Sequence, residues 1–123
     1  MISVLVVRTR GGSDLAILAR AVERIVREDA WTGPEPVDLC AALGVEPAEP
    51  QRRVGVIATA EGDRAIALPG HLTVGEIARA DVYALPDAFR DLPLWRAILG
   101  VTLPEKGRPL VVVAPESLAR GTR

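Results

Sequence analysis

The stretch RRVGVIATAEGDRAIALPG, residues 52–70, constrains the fold more than any other part of the chain. Val54, Val56 and Ala58 recur at the two-residue period that puts side chains on one face of a strand. Ile66 and Leu68 repeat that period further on. Between the runs lies AEGD, in which Gly62 supplies the positive φ that a tight hairpin turn demands.

The flanking sequence adds more short strands. Val4 to Val7 is apolar and β-branched, Gly11-Gly12 offers a turn, and Leu15 to Leu18 reads as the returning strand. ARAVERIVRED, residues 19–29, fits two periods: Val22, Ile25 and Val26 have helical spacing, while Ile25-Val26 also opens a strand. The expected form is a short helix passing into a strand near Ile25. Arg20, Arg24 and Arg27 share the helical spacing, with Glu23 set to pair with Arg27, so they form either a solvated face or a partner-binding stripe. HLTVGEIARADVYALP is expected as one long or broken strand bent at Gly75. ILGVTLPEKGRPLVVVAP is expected as a hairpin turning at Glu105 to Gly107, and PESLAR as a terminal helical turn. The proline-rich WTGPEP and EPAEPQ are loops. Many short strands and few short helices give a mainly β fold, a small barrel or sandwich.

Charge and composition then remove whole classes of function. The 123 residues are enough for one domain, and 49% of them are hydrophobic but only 3% aromatic, so Ala, Val, Leu and Ile must fill the core. A net charge of −1 provides no field for nucleic acid or an anionic membrane surface. One cysteine excludes an internal disulfide framework. The longest apolar runs are too short to span a bilayer, and MISVLVVRTR lacks the order of a signal peptide, so a cytoplasmic protein without membrane insertion is expected.

Reactive side chains are scarce. Zinc needs about four ligands, and Cys40 and His71 are the only cysteine and histidine. Ser3, Ser13 and Ser117 lie outside any nucleophile-elbow pattern, and no phosphate-cradling glycine motif occurs. No catalytic residue, metal or cofactor is assigned. Glu61 with Asp63, and Asp87 with Asp91, read as solvated carboxylates. In EPVDLCAALGV, Asp38 is placed to cap a short helix and Gly44 to end it. Cys40 in that setting is a small buried hydrophobe, or else a reactive thiol. Trp95 is a core or rim anchor, whereas Trp31, in a loop beside Gly33-Pro34, is a candidate binding anchor.

The order of these elements resembles the chemotaxis coupling proteins, the CheW-like family. That family has a strand pair near the start, a Val-containing helical turn running into a strand, and a "P-V-I-D-L" motif before a short helix ending in Gly. EPVDLCAALGV is similar to the motif, and RRVGVIAT, DRAIALPG, ADVYALPDAF, AILGVTLP and LVVVAPESLA follow in the family's order. The resemblance implies two small SH3-like five-stranded β-barrels in a single domain over 1–123. It also implies a non-catalytic adaptor that docks on chemoreceptor tails, on the regulatory domain of a chemotaxis histidine kinase, or on both. Val22, Ile25, Trp31, Val37, Leu39 and Leu43 are the partner-binding residues so implied.

Three departures from the family pattern qualify this expectation. Pro36-Val37-Asp38-Leu39 follows the first half of the chain almost at once, so the family's "n-l-R-G" hairpin has no counterpart. Gly70-His71 stands in place of acidic residues, and Ala114-Pro115 in place of Leu-Asp. The first subdomain, roughly 14–50, is expected to lack about two strands, and the second to run from roughly 51 to 110. The strand beside the gap is then either covered by the 29–37 loop or used for a partner. The competing readings are a ligand-binding or regulatory β-barrel outside chemotaxis, and an enzyme using Cys40 or His71.

Overall fold

The computed structural model describes residues 1–86, 97–103 and 107–115. In chain order the strands are β1 (Ile2–Val7), β2 (Asp14–Leu18), β3 (Arg24–Arg27), β4 (Gln51–Thr59), β5 (Gly62–Pro69), β6 (Thr73–Ile77), β7 (Val82–Tyr83), β8 (Ile98–Thr102) and β9 (Leu110–Val113), with α1 (Leu39–Ala42) between β3 and β4. Short 3-10 turns cover Ala19–Ala21, Glu28–Ala30 and Arg79–Asp81. The fold is mainly β, as the sequence leads one to expect.

Six strands form one sheet in the order β6-β1-β2-β9-β8-β7. Its centre is the parallel pair of β2 with β9, in which Asp14 faces Leu110 and Ile17 faces Val113. The other pairings are antiparallel. The outermost strands, β6 and β7, are consecutive in the chain and separated only by the turn at Arg79–Asp81. In a flat sheet they would lie about 24 Å apart. The five-residue step from Ile77 to Val82 reaches at most about 18 Å even when fully extended. The sheet therefore has to curl, and it forms a half-barrel.

The curl gives the sheet two apolar faces. Inside it, Val4, Ala16, Leu18 and Val112 form a core flanked by Ile2, Val6 and Leu110, and by Ile77 and Val82 from the opposite edges. Outside it, Leu5, Val7, Leu15, Ile17 and Val113 form a second core with Ile57, Ile66 and Leu68 of the other sheet and Leu39 and Cys40 of α1. Gly100 stands next to a bulge in β8 that accommodates Leu99. A Cβ there would lie 2.5 Å from the Tyr83 carbonyl oxygen, so only glycine lets β7 approach β8.

The second sheet has three strands, β3-β4-β5. The β4–β5 hairpin turns at Gly62 with φ +115, as its sequence requires. The pairing of β3 with β4 joins residues on both sides of position 50. Val37 lies alongside β5: its N–H donates to the Ala65 carbonyl at 2.9 Å, and its own carbonyl accepts from the Ala67 N–H at 2.8 Å.

Several local expectations change. Val54, Gly55, Val56 and Ile57 are all buried, so β4 is covered on both faces, while Ala58, near the hairpin tip, is exposed. The 19–29 stretch contains only a 3-10 turn before β3, so Arg24 and Arg27 project from a strand and do not extend a helical face from Arg20. Glu23 consequently reaches Arg24, at 3.6 Å, and Arg27 reaches Asp29, at 2.9 Å. The 71–86 segment breaks at Arg79–Asp81; Gly75 lies within β6, opposite Val4. Asp87, Asp91, Trp95, Glu105 and the PESLAR turn beyond Pro115 lie outside the described residues. Among the described residues, no helix is long and apolar enough to cross a membrane.

A buried polar cluster ties the two chain ends together. Asp14, 5% exposed, accepts from the Thr9 N–H at 3.1 Å and from Arg108 Nε at 3.0 Å. Arg108 also donates to the carbonyls of Thr9 and Gly11, and the Asp14 N–H donates to the Pro109 carbonyl at 3.0 Å. These bonds satisfy the turn between β1 and β2 and fix the register of β9 beside it. Asp14→Ala leaves a buried N–H and a half-buried guanidinium without their acceptor, and is expected to lower the unfolding free energy by about 2–4 kcal/mol. Urea unfolding followed by circular dichroism measures this; a loss below about 0.5 kcal/mol would show that the cluster does not hold the ends.

Candidate functional site

The α1 region holds the chain's one cysteine, and its local physics is that of a structural joint. Asp38 Oδ1 accepts from the Ala41 N–H at 3.1 Å, satisfying one of the free amides of the first turn. The same oxygen accepts from Gln51 Nε2 at 3.2 Å, which ties the helix to the start of β4. Gly44, φ +72, ends the helix in the left-handed conformation that costs glycine nothing. The Val45 N–H returns to the Cys40 carbonyl at 2.8 Å, completing the C-terminal wrap.

Cys40 is 1% exposed inside the core between the sheets. Burial first, and then the Asp38 carboxylate, push its thiol up from 9.0 to about 11; the hydrogen bond with the Gln51 side chain acts the other way and is outweighed. The thiolate is the nucleophilic form, so this sulfur is held inert at neutral pH. His71 is exposed at the entrance to β6, beside Arg8, Glu49 and Thr73. Among the described residues, no three His, Cys, Asp or Glu side chains are grouped to hold a metal ion.

The six residues implied as partner-binding fall into two groups. Leu39 is 2% exposed in the core between the sheets, and Val22 and Leu43 pack half-buried against that core. Ile25, Trp31 and Val37 lie nearer the surface. Ile25 is 37% exposed on β3, and Val37 is half-buried at the β5 edge. Trp31 is half-buried and folds back on its own loop: its Nε1–H donates to the Pro34 carbonyl at 2.7 Å. Its ring fills the space a Cβ on Gly33 would need, 2.3 Å from Cζ2, so the Trp-x-Gly-Pro spacing specifies the loop's shape.

Further surface features carried no signal in the sequence. Val74, Tyr83, Leu99 and Leu103 are exposed by 70%, 58%, 47% and 66%. Leu99 joins Ile2, Leu18, Val82 and Val112 in lining a cleft of about 280 Å³ on the curled sheet, which Arg20 and Arg79 also line. A second, open cleft of about 570 Å³ is lined by Arg27, Arg52 and Arg53 with Glu28 and Asp29. Arg52 is the extra residue of a bulge in β4 between Gln51, opposite Pro69, and Arg53, opposite Leu68, and both arginines line this cleft.

The raised thiol has two measurable consequences. Native Cys40 holds its proton through the range where the unfolded thiol loses it. Its contribution to stability is therefore complete below pH about 9 and is lost as pH rises toward 11. At pH 8 the native thiolate fraction is expected to be roughly a hundredfold below that of the unfolded chain, with alkylation by iodoacetamide slowed at least as much. Native and unfolded rates within a factor of three would contradict the burial and charge argument.

No family model matches the chain, and no curated protein matches it in sequence. Among solved structures, the chain superposes on the crystal structure of the scaffolding protein CheW of Thermoanaerobacter tengcongensis with a TM-score of 0.65. The two are 11% identical, and the match covers 91% of this chain and 83% of that one. A half-barrel, a second sheet and a short capped helix in this order are thus a CheW-like fold.

Proposed function

We propose that the chain is a non-catalytic adaptor of a bacterial chemosensory array, acting in the cytoplasm. It joins a chemoreceptor tail to the regulatory domain of a chemotaxis histidine kinase, or binds one of the two. The observation that carries this reading is the likeness over nearly the whole chain to a protein whose described role is scaffolding. The chemistry of the site region supports it: the single thiol is buried with its proton held, and its surroundings are spent on capping and packing.

The docking surface in this proposal runs from Ile25 on β3 through the Trp31 loop to Val37, with Val22 and Leu43 supporting it from beneath. Leu39 contributes by holding α1 in place. An indole fixed by its own loop loses little side-chain freedom on binding, which favours a large contribution per residue. The departures from the family pattern, above all the absent hairpin before α1, place the narrower role, with one partner and not two, within the same proposal.

A second reading, a ligand-binding β-barrel domain outside chemotaxis, draws on the cleft lined by Ile2, Leu18, Val82, Leu99 and Val112 beside Arg20 and Arg79. A mainly apolar cleft with two arginines among its lining residues is suited to an amphipathic anion.

The two readings separate in one set of measurements. Receptor cytoplasmic tail and kinase regulatory domain from the same genome are each titrated with the purified chain by isothermal calorimetry. At least one is expected to bind, with Trp31→Ala weakening binding by about tenfold or more and Ile25→Asp doing the same. Arg79→Glu, in the other cleft, is expected to leave binding unchanged. Wild-type affinity in both Trp31→Ala and Ile25→Asp would remove the surface assignment; failure of the wild-type chain to bind either partner would remove the adaptor reading.

A further inference from the structure

The cleft on the curled sheet is set apart from the two larger ones by its lining. Its apolar part continues the core inside the curl: Leu18 and Val112 are buried, and Ile2 and Val82 are half-buried. Among its described lining residues there is no Asp or Glu, yet there are two arginines. Arg20 comes from the 3-10 turn that follows β2, and Arg79 from the turn that joins β6 to β7. Both are exposed, and neither forms an ion pair with a described residue. The larger clefts both include carboxylates: Glu28 and Asp29 in one, Glu76 and Asp81 in the other, of about 500 Å³.

The strand β8 departs from regular geometry at this cleft. Leu99 is the extra residue of the bulge between Ile98 and Gly100, and it lines the cleft while 47% exposed. Gly100 has no side chain, and Val82 Cγ1 lies 2.7 Å from the place its Cβ would take, so Val82 settles directly against the strand. Bulges are concentrated at sheet edges and beside binding sites, where they redirect a side chain. Here the bulge leaves a large aliphatic group in water beside two unpaired cations, and one amphipathic anion would cover the first and neutralise the second.

We propose that this cleft binds a medium-chain carboxylate. Its alkyl chain lies against Leu18, Val82, Leu99 and Val112, and its carboxylate accepts hydrogen bonds from Arg20 and Arg79. Two guanidinium groups on one small cleft repel each other, and the two oxygens of a single carboxylate can accept from both. Size fixes the chain length. At roughly 30 Å³ per water-sized group, a cleft of about 280 Å³ holds about nine such groups, close to an eight-carbon acid. That volume lies just below the usual range for drug-sized ligands, about 300–1,000 Å³. The inference assigns a ligand class to the cleft on which the second functional reading draws. It holds equally for an adaptor, whose docking surface uses other residues.

Isothermal calorimetry of the purified chain with octanoate tests it. One site per chain is expected, with a dissociation constant below about 1 mM. Octanol lacks the charge and acetate lacks the chain, and each is expected to bind at least tenfold more weakly. A tripeptide ending in leucine offers the same carboxylate on a bulkier stem and is expected to bind at least tenfold more weakly as well. Arg20→Glu and Arg79→Glu are each expected to weaken octanoate about tenfold or more, and Leu99→Trp to abolish binding by filling the cleft. Arg53→Glu, outside the cleft, is expected to leave it unchanged. The substituted residues are all exposed, and circular dichroism verifies folding. In amide NMR spectra, octanoate is expected to shift residues 18–20, 79–82, 99–100 and 112. No binding of octanoate, octanol or the tripeptide as tight as octanoate, equal loss in Arg53→Glu, wild-type affinity in both Arg20→Glu and Arg79→Glu, or shifts confined to other residues would each overturn the proposal.

Discussion

The fold depends on the parallel pairing of β2 with β9. It joins strands about a hundred residues apart in sequence, so closing it costs more chain entropy than any local hairpin. Two contributions offset that cost. Ile17 and Leu15 from β2 and Val113 from β9 share the core between the sheets, while Ala16 and Val112 share the core inside the curl. The same strand pair thus stabilises both cores. The Asp14–Arg108 cluster then selects the register, since slipping β9 by one residue would swap its two faces and also separate Arg108 from its acceptors. Once β2 and β9 are joined, β1 and β6 extend the sheet on one side, and β8 and β7 on the other. The short step from β6 to β7 forces the curl.

The second sheet and α1 are cover for the convex face of that half-barrel. This explains why a four-residue helix has two buried residues and an elaborate cap. Its Leu39 and Cys40 complete a core otherwise built from strands, and Asp38 fixes its angle through Ala41 and Gln51 together. The requirement that makes Cys40 fit also makes it unreactive. A thiol small enough to sit between β5 and the half-barrel is far from water and beside a carboxylate, and both conditions penalise the thiolate.

Much of this was legible in the sequence, and the legible parts were local. The β4–β5 hairpin, the Asp38 cap, the Gly44 stop and the buried cysteine all follow from residues within a few positions of one another. The remaining features were set by tertiary context. Nothing in LVVVAP says that Val111 and Val112 face different cores, or that their strand lies parallel to one near the start of the chain. Alternation in RRVGVIAT indicates a half-buried strand, yet β4 is the central strand of its sheet and is buried on both faces from Val54 to Ile57. Arg20, Arg24 and Arg27 fit helical spacing, but Ile25-Val26 between them prefers the extended form, and pairing with β4 decides it. Of the residues implied as a partner surface, Ile25 and Trp31 are accessible, while Leu39 is internal because an apolar position one residue after a helix cap commonly faces the core. Sequence periodicity places a residue on a face without saying what lies against that face.

A small β protein must also deal with the edges of its sheets, and this chain uses a different device at each. The edges of the half-barrel, β6 and β7, are brought round toward one another and joined by a single turn. The β5 edge is covered by Val37, whose backbone satisfies Ala65 and Ala67. At β3 the device is charge. Glu23, Arg24 and Arg27 leave Ile25 and Val26 as a two-residue apolar centre between ionic flanks. An extended strand of unrelated sequence would have to desolvate those charges without partners, at a cost that exceeds what so short an apolar contact returns.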